Sequence, residues 1–71
     1  MGGKSIEKKI GEQLQKRRTE LGITKYRMNR ITGVHYGYLG KLEAGEKSMS
    51  IDMLARLCEA LDLEIKLEPI K

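Results

Sequence analysis

Three glycines, Gly22, Gly33 and Gly45, divide this chain of 71 residues into short segments. Each follows a stretch in which apolar residues recur at helical spacing. Glycine readily takes the left-handed backbone conformation that ends many helices. The pattern therefore predicts short helices joined by tight turns, and good capping residues stand at the expected N-terminal ends: Ser5, Thr24 and Ser50.

The spacing of apolar residues predicts four helices, over 5–21, 25–32, 36–44 and 51–61. In each of them the apolar side chains fall on one face at steps of three, four or seven residues, as in an amphipathic helix. The residues expected to face the core are Ile6, Ile10, Leu14, Leu21, Met28, Ile31, Leu39, Leu42, Met53, Leu54, Leu57, Cys58 and Leu61.

After the fourth helix the period changes from helical to alternating. Leu63, Ile65 and Leu67 alternate with charged residues, and Pro69 ends the run, which is typical of a strand. A lone strand must find another edge for its backbone groups, and the nearest one is the same strand of a second copy. We predict a two-stranded antiparallel ribbon across a homodimer, with a frayed tail or a short fifth helix over 63–71 as the alternative.

Composition excludes several classes of protein. A single cysteine excludes an internal disulfide framework, and one histidine with one cysteine excludes a structural zinc cluster. No Gly-rich phosphate loop or catalytic triad is recognisable, so we expect neither an enzyme nor a cofactor nor a bound metal. No apolar run approaches the ~18 residues of a membrane span or forms a signal-peptide core. We therefore expect a cytoplasmic protein without a membrane partner, with residues 1–4 flexible.

The charge is unevenly distributed along the chain. Residues 1–47 carry eleven basic and five acidic residues, whereas residues 48–71 carry three basic and five acidic ones. The whole chain has a net charge of +4. A basic half joined to an acidic half suggests one surface for a polyanion, although a solvated surface without a partner explains the charge equally well.

The segment 23–45 resembles the helix-turn-helix of the phage repressor/Cro-like (XRE) family, and the likeness extends over residues 6–62. Gly33 matches the turn glycine and Thr24 the cap of the second helix. Residues 50–61 look like the fourth helix. The resemblance implies an all-α, compact, lambda-repressor-like domain of four to five helices, with DNA-binding residues 5–62 and a strand-like tail 63–71. The buried apolar positions are matched by Met28, Val34, Leu39 and Leu42.

The resemblance also implies an ion pair, and the chain departs from the family pattern at two positions. Glu43 matches an acid that pairs with an arginine of the first helix, here Arg18. Asn29 stands where the family prefers a small residue, and Thr32 where an apolar one is usual. Either polar side chain would need a hydrogen bond within the fold.

The third helix of this family lies in the DNA major groove, with its N-terminal residues facing base edges. For this chain the resemblance therefore implies base contacts from Tyr36, Gly37 and Lys41, with Tyr38 and Gly40 at the flanks. Two glycines in a helix indicate either close backbone approach to DNA or a weak helix with little direct readout. His35 is equally an ordinary cap, and Arg27 an ordinary solvated side chain. The residues assigned to phosphate contacts are Thr24, Lys25, His35, Lys47 and Arg27.

The function implied is sequence-specific double-stranded DNA binding by a homodimeric transcriptional regulator of bacterial or phage type, most simply a repressor at a near-palindromic operator. Leu63, Ile65 and Leu67 would form the dimer interface. The alternative is an antitoxin that binds a toxin or other protein partner and regulates its own promoter, which the strand-like tail and acidic second half favour. A third reading is an interaction module that has lost DNA binding.

Overall fold

The computed structural model describes residues 5–70, and four α-helices occur within them. Helix α1 spans Ile6–Glu20, α2 Lys25–Thr32, α3 Tyr36–Glu43 and α4 Ile51–Ala60. The sequence predicted all four, with each end within one residue. The N-terminal residues 1–4, expected to be flexible, lie outside the described residues. Between residues 5 and 70, no helix has the length and apolarity that crossing a membrane requires.

The helix ends are set by the expected local signals. The side chains of Ser5, Thr24 and Ser50 each accept a hydrogen bond from the backbone N–H three residues further on, at 3.2, 3.0 and 3.0 Å. These bonds satisfy N–H groups that have no partner inside a helix. Gly33 ends α2 in the left-handed conformation, with φ of 83°. The capping residues therefore determine where the chain changes direction.

The hydrophobic core lies between the four helices, and most of its members were predicted. Three predicted core residues are instead exposed: Ile6, Leu21 and Ile31, at 63%, 42% and 51%. Ile6 and Ile31 lie in end turns of their helices, and Leu21 lies just after α1. The periodicity predicts which face of a helix is apolar, but not how much of that face the neighbouring elements cover. The buried apolar residues are Leu14, Met28, Val34, Leu39, Leu42, Leu57, Cys58 and Leu61.

Helix α1 lies unusually close to the end of α3. A Cβ atom at Gly11 would stand 2.4 Å from the carbonyl oxygen of Leu42, a distance that real Cβ atoms do not tolerate. At the loop after α3, a Cβ at Gly45 would stand 2.6 Å from Cα of Lys8, and this glycine has φ of 78°. Both positions therefore need glycine for the two backbones to approach.

A buried ion pair joins the same two helices. The Arg18 guanidinium donates to the two carboxylate oxygens of Glu43, from Nε at 2.6 Å and from an Nη at 3.0 Å. Its other Nη donates to the carbonyl oxygen of Ile23 at 2.9 Å. Arg18 is 8% and Glu43 4% exposed. This bidentate geometry fixes the orientation of α1 relative to the C-terminal end of α3.

The segment 63–70 leaves the helical body without forming a helix, so the alternative of a fifth helix is wrong for the described residues. Asp62 has φ of 58°, which ends α4 and turns the chain. The N–H of Leu63 then donates to the carbonyl oxygen of Cys58 at 2.8 Å. Beyond it, Leu67 is 94% exposed. The segment has no strand partner in the single chain, and pairing across a dimer stays a prediction.

Candidate nucleic-acid interface

The turn between α2 and α3 is fixed by side-chain hydrogen bonds. The Asn29 amide donates to the carbonyl oxygen of Val34 at 3.0 Å. The Thr32 hydroxyl donates to the carbonyl oxygen of Met28 at 2.7 Å and accepts from the N–H of Val34 at 3.1 Å. The two polar departures from the family pattern are therefore satisfied inside the turn. They hold α3 at a defined angle to α2.

The residues expected to contact bases do not share one environment. Tyr36, Gly37 and Lys41 are exposed along α3, whereas Gly40 is half-buried. Tyr38 is also half-buried and packs against the core cluster. Its ring is therefore partly withdrawn from the exposed surface and is less accessible for a base contact than Tyr36 or Lys41.

Three aromatic rings lie close together at the start of α3. The His35 ring accepts a hydrogen bond from the N–H of Gly37 through Nδ1 at 3.0 Å, so His35 is the cap of α3. A neutral imidazole that accepts at Nδ1 carries its proton on Nε2, which leaves a donor for a phosphate. The Tyr36 ring stacks on His35 with centroids 4.4 Å apart, and the Tyr26 ring lies 6.4 Å from Tyr36.

Tyr26 was missed by the sequence analysis. It is 59% exposed in the first turn of α2, and it lines a surface groove with Thr24, Arg27 and Arg30. The sequence did contain a signal for it, because Tyr26 directly follows Lys25 at the N-terminal end of α2, which the family places near DNA. An exposed aromatic side chain beside basic ones is typical of protein surfaces that bind nucleic acid, where the rings stack on sugars or bases.

The first turns of α2 and α3 contain no acidic residue, whereas those of α1 and α4 contain Glu7 and Asp52. The partial positive charge at a helix N-terminus attracts anions, and a carboxylate in the first turn would compete for it. Thr24, Lys25, Arg27 and the cap His35 are all exposed around these two turns. Lys47 is exposed too, in the loop between α3 and α4.

The glycines of α3 are not required by packing. A Cβ at Gly37 would meet only the His35 ring, at 3.2 Å. At Gly40 it would meet only the Lys25 side chain, whose Nζ lies 3.3 Å away. No backbone atom stands in either place. Because the side chain of Lys25, the first residue of α2, extends over α3 at Gly40, the two helices present one continuous surface.

A helix-turn-helix (HTH_3) family model matches residues 14–67 of the chain. This protein belongs to the XRE-type helix-turn-helix family. Family membership makes it a DNA-binding transcription regulator. Among solved structures it is similar to the clp gene regulator ClgR from C. glutamicum, with 31% sequence identity and a TM-score of 0.83 over 87% of this chain and 80% of that one. No curated protein sequence matches it significantly.

Proposed function

We propose that this protein binds a specific double-stranded DNA sequence as a homodimer and represses transcription from the promoter it occupies, in the cytoplasm of a bacterial or phage-infected cell. The observation that carries the proposal is the joint surface of α2 and α3. The first turn of α2 lies against α3, with the Lys25 ammonium beside Gly40 and the Tyr26 ring near Tyr36. Neither helix has a carboxylate in its first turn.

Base readout is assigned to α3 lying in the major groove. Lys41 is the principal reader, because a lysine ammonium can donate to O6 and N7 of guanine. Tyr36 contacts a thymine methyl group or a sugar, and Gly37 and Gly40 allow the helix backbone to approach the base edges. Tyr38 has a minor part, since its ring packs partly against the core.

Phosphate contacts are assigned to the helix starts and to the loop after α3. The N–H groups at the start of α2, with Thr24, Lys25 and Arg27, face one phosphate region. His35 donates from Nε2 at the start of α3, and Lys47 contacts the backbone from the loop. These contacts set register and affinity but carry no sequence information directly.

Paired lysine variants test this division of roles. Lys41→Ala should relax the preference at one base pair and cost about 1–3 kcal/mol there. Lys25→Ala should weaken binding to all duplexes alike and lower the salt slope by about one unit. Lys16→Ala, an exposed lysine of α1, is the matched control and should change neither property. If Lys41→Ala weakened all sequences equally, the base-reading assignment would be wrong.

A second candidate function is that of an antitoxin. The apolar side chains exposed on α4 and the tail favour it, since Ile51 is 79% and Ile70 fully exposed and such side chains often mark protein interfaces. Co-expression with the product of the adjacent gene tests this candidate. A stoichiometric complex that relieves toxicity would establish it, whereas an adjacent product that is harmless and does not bind would dismiss it.

A further inference from the structure

The tail beyond α4 exposes an alternating sequence with no partner in the single chain. Its apolar residues are Leu63, Ile65 and Leu67, of which the last is 94% exposed. Resting on the homodimer proposed above, we infer that the tail pairs with the tail of a second copy in one antiparallel register, centred on Ile65. In this register Glu64 lies opposite the partner's Lys66, and Leu63 lies opposite the partner's Leu67.

Charge complementarity selects this register. Residues directly opposite in an antiparallel pair lie on the same face, so the register decides which side chains meet. Centring on Ile65 gives two Glu64–Lys66 pairs related by symmetry. It also brings Glu68 level with the partner's Asp62, but Asp62 has φ of 58° and lies in the turn after α4, outside the extended tail. Centring one residue later places Lys66 opposite the partner's Lys66 and Glu64 opposite the partner's Glu68. Parallel in-register pairing places every charge opposite an identical one, which is unfavourable.

One other antiparallel register also pairs opposite charges. A pairing centred on Leu67 places Lys66 opposite the partner's Glu68. It sets Ile65 opposite the partner's Pro69, however, and proline has no backbone N–H to donate to a ladder. It also carries Leu63 past the partner's proline. The register centred on Ile65 keeps all three apolar residues within the paired length.

The packing of the tail on α4 agrees with the same register. Leu63 is half-buried against the core cluster. It lines a groove together with Cys58 and Ile65. Leu67, four residues beyond Leu63, has no comparable cover in its own chain. Pairing it with the partner's Leu63 places it against the partner's groove, so each subunit covers the apolar residue that the other leaves exposed.

The charged side chains of the tail remain available for pairing with a second copy. Within the tail, the Lys66 ammonium lies 3.8 Å from a Glu68 carboxylate oxygen, and both side chains are largely exposed. An exposed ion pair of this kind contributes little free energy. It also shows that the Lys66 and Glu68 side chains lie on the same side of the tail.

Charge reversal tests the register in the full-length protein by sedimentation or light scattering across a concentration series. Glu64→Lys and Lys66→Glu should each raise the dimer dissociation constant by about tenfold, because two attractive pairs become repulsive. The double variant should recover the original dissociation constant. Mixing the two single variants should give a heterodimer at concentrations where each alone is monomeric. Failure of the double variant to recover would overturn the register.

Glu68→Lys is the matched control, because it separates the two charge-complementary registers. In the register centred on Ile65 this residue comes level with the partner's Asp62, in the turn at the end of the paired length, so a lysine there should leave the dissociation constant unchanged or lower it. In the register centred on Leu67 the same change would oppose the partner's Lys66 and weaken the dimer as strongly as the others. The latter result would contradict the inference. Circular dichroism would verify that each variant remains folded.

Cysteine cross-linking gives a second readout that does not depend on charge. In a Cys58→Ala background, Ile65→Cys should form an intersubunit disulfide on mild oxidation, because the two central residues are directly opposite. Leu67→Cys should not, since its symmetry mate lies four residues along the strand, about 13 Å away and beyond the ~7 Å between Cα atoms that a disulfide spans. The reverse pattern would place the centre at Leu67.

The outcomes separate this inference from the proposed function. A dimer that ignores the tail variants would refute the ribbon while leaving the homodimer intact. A monomer at all concentrations would refute both the ribbon and the homodimer, and DNA binding by α3 would still be measurable on a single half-site. A dimer with the expected cross-links but no DNA binding would uphold the ribbon and refute the DNA-binding proposal.

Discussion

Replacing Glu43 with alanine should destabilise the domain more than the same replacement at any other acidic residue. The carboxylate accepts two hydrogen bonds from Arg18 at 2.6 and 3.0 Å. Both residues are buried. In Glu43→Ala the guanidinium keeps its bond to the carbonyl oxygen of Ile23 but stands as an unpaired charge in the interior.

The magnitude follows from that unpaired charge rather than from the lost hydrogen bonds alone. Removing one partner of a buried ion pair costs about 3–5 kcal/mol. In a domain of this size each kcal/mol lowers Tm by about 4–8 °C, so a fall of roughly 12 °C or more is expected. A small domain has only about 5 kcal/mol of stability in total, and part of the variant should be unfolded at 37 °C.

Thermal and urea unfolding followed by circular dichroism measure this effect at one fixed protein concentration, because dimerisation makes Tm depend on concentration. Glu46→Ala is the matched control, since this carboxylate is exposed in the loop just after α3, and it should shift Tm by no more than a degree or two. Replacing both partners, as in Arg18→Met with Glu43→Leu, should destabilise less than Glu43→Ala, because no charge is left buried.

Two results would refute this reasoning. If Glu43→Ala unfolded at the temperature of Glu46→Ala, the ion pair would contribute nothing to stability. If the double replacement were as unstable as the single one, the loss would come from packing around position 43 and not from an unpaired arginine.

Two further predictions follow from the packing of the core. Gly11→Ala should destabilise the fold by about 1–3 kcal/mol in thermal unfolding, because its Cβ would stand 2.4 Å from the carbonyl oxygen of Leu42. Gly37→Ala is the control, since its Cβ meets only the His35 ring, and it should be neutral or stabilising. Equal destabilisation by both variants would contradict the close contact of α1 and α3. Burial raises the pKa of the Cys58 thiol, so the folded protein at pH 8 should react with a chromogenic disulfide reagent much more slowly than the urea-unfolded chain does; rapid labelling of the folded protein would show instead an accessible thiol.

The sequence predicted the helices well because their signals are local. The capping side chains Ser5, Thr24 and Ser50 and the left-handed Gly33 act within three or four residues, so the ends of the helices were correct to within one residue. The core was predicted less completely. Ile31 has the right spacing but is 51% exposed, because spacing does not reveal where a neighbouring helix stops.

The contacts between distant elements could not be derived from periodicity. The pairing of Arg18 with Glu43 came from the family resemblance, and nothing in the spacing of charges specifies that an arginine is buried. The close approach of α1 to α3 at Gly11 was also missed. A glycine inside a helix indicates only a low helix propensity until the element packed against it is known. Tyr26 was overlooked because an exposed tyrosine acquires meaning only from the rings beside it.

Selection of bound duplexes from a random-sequence DNA pool at physiological salt tests the central claim most directly. We predict enrichment of a near-palindrome whose half-sites lie about one helical turn, ~34 Å, apart, with the preference for one base at one position lost in Lys41→Ala. Recovery of DNA without any enriched sequence would contradict sequence-specific reading by α3, and recovery of no DNA at all would contradict the DNA-binding proposal itself.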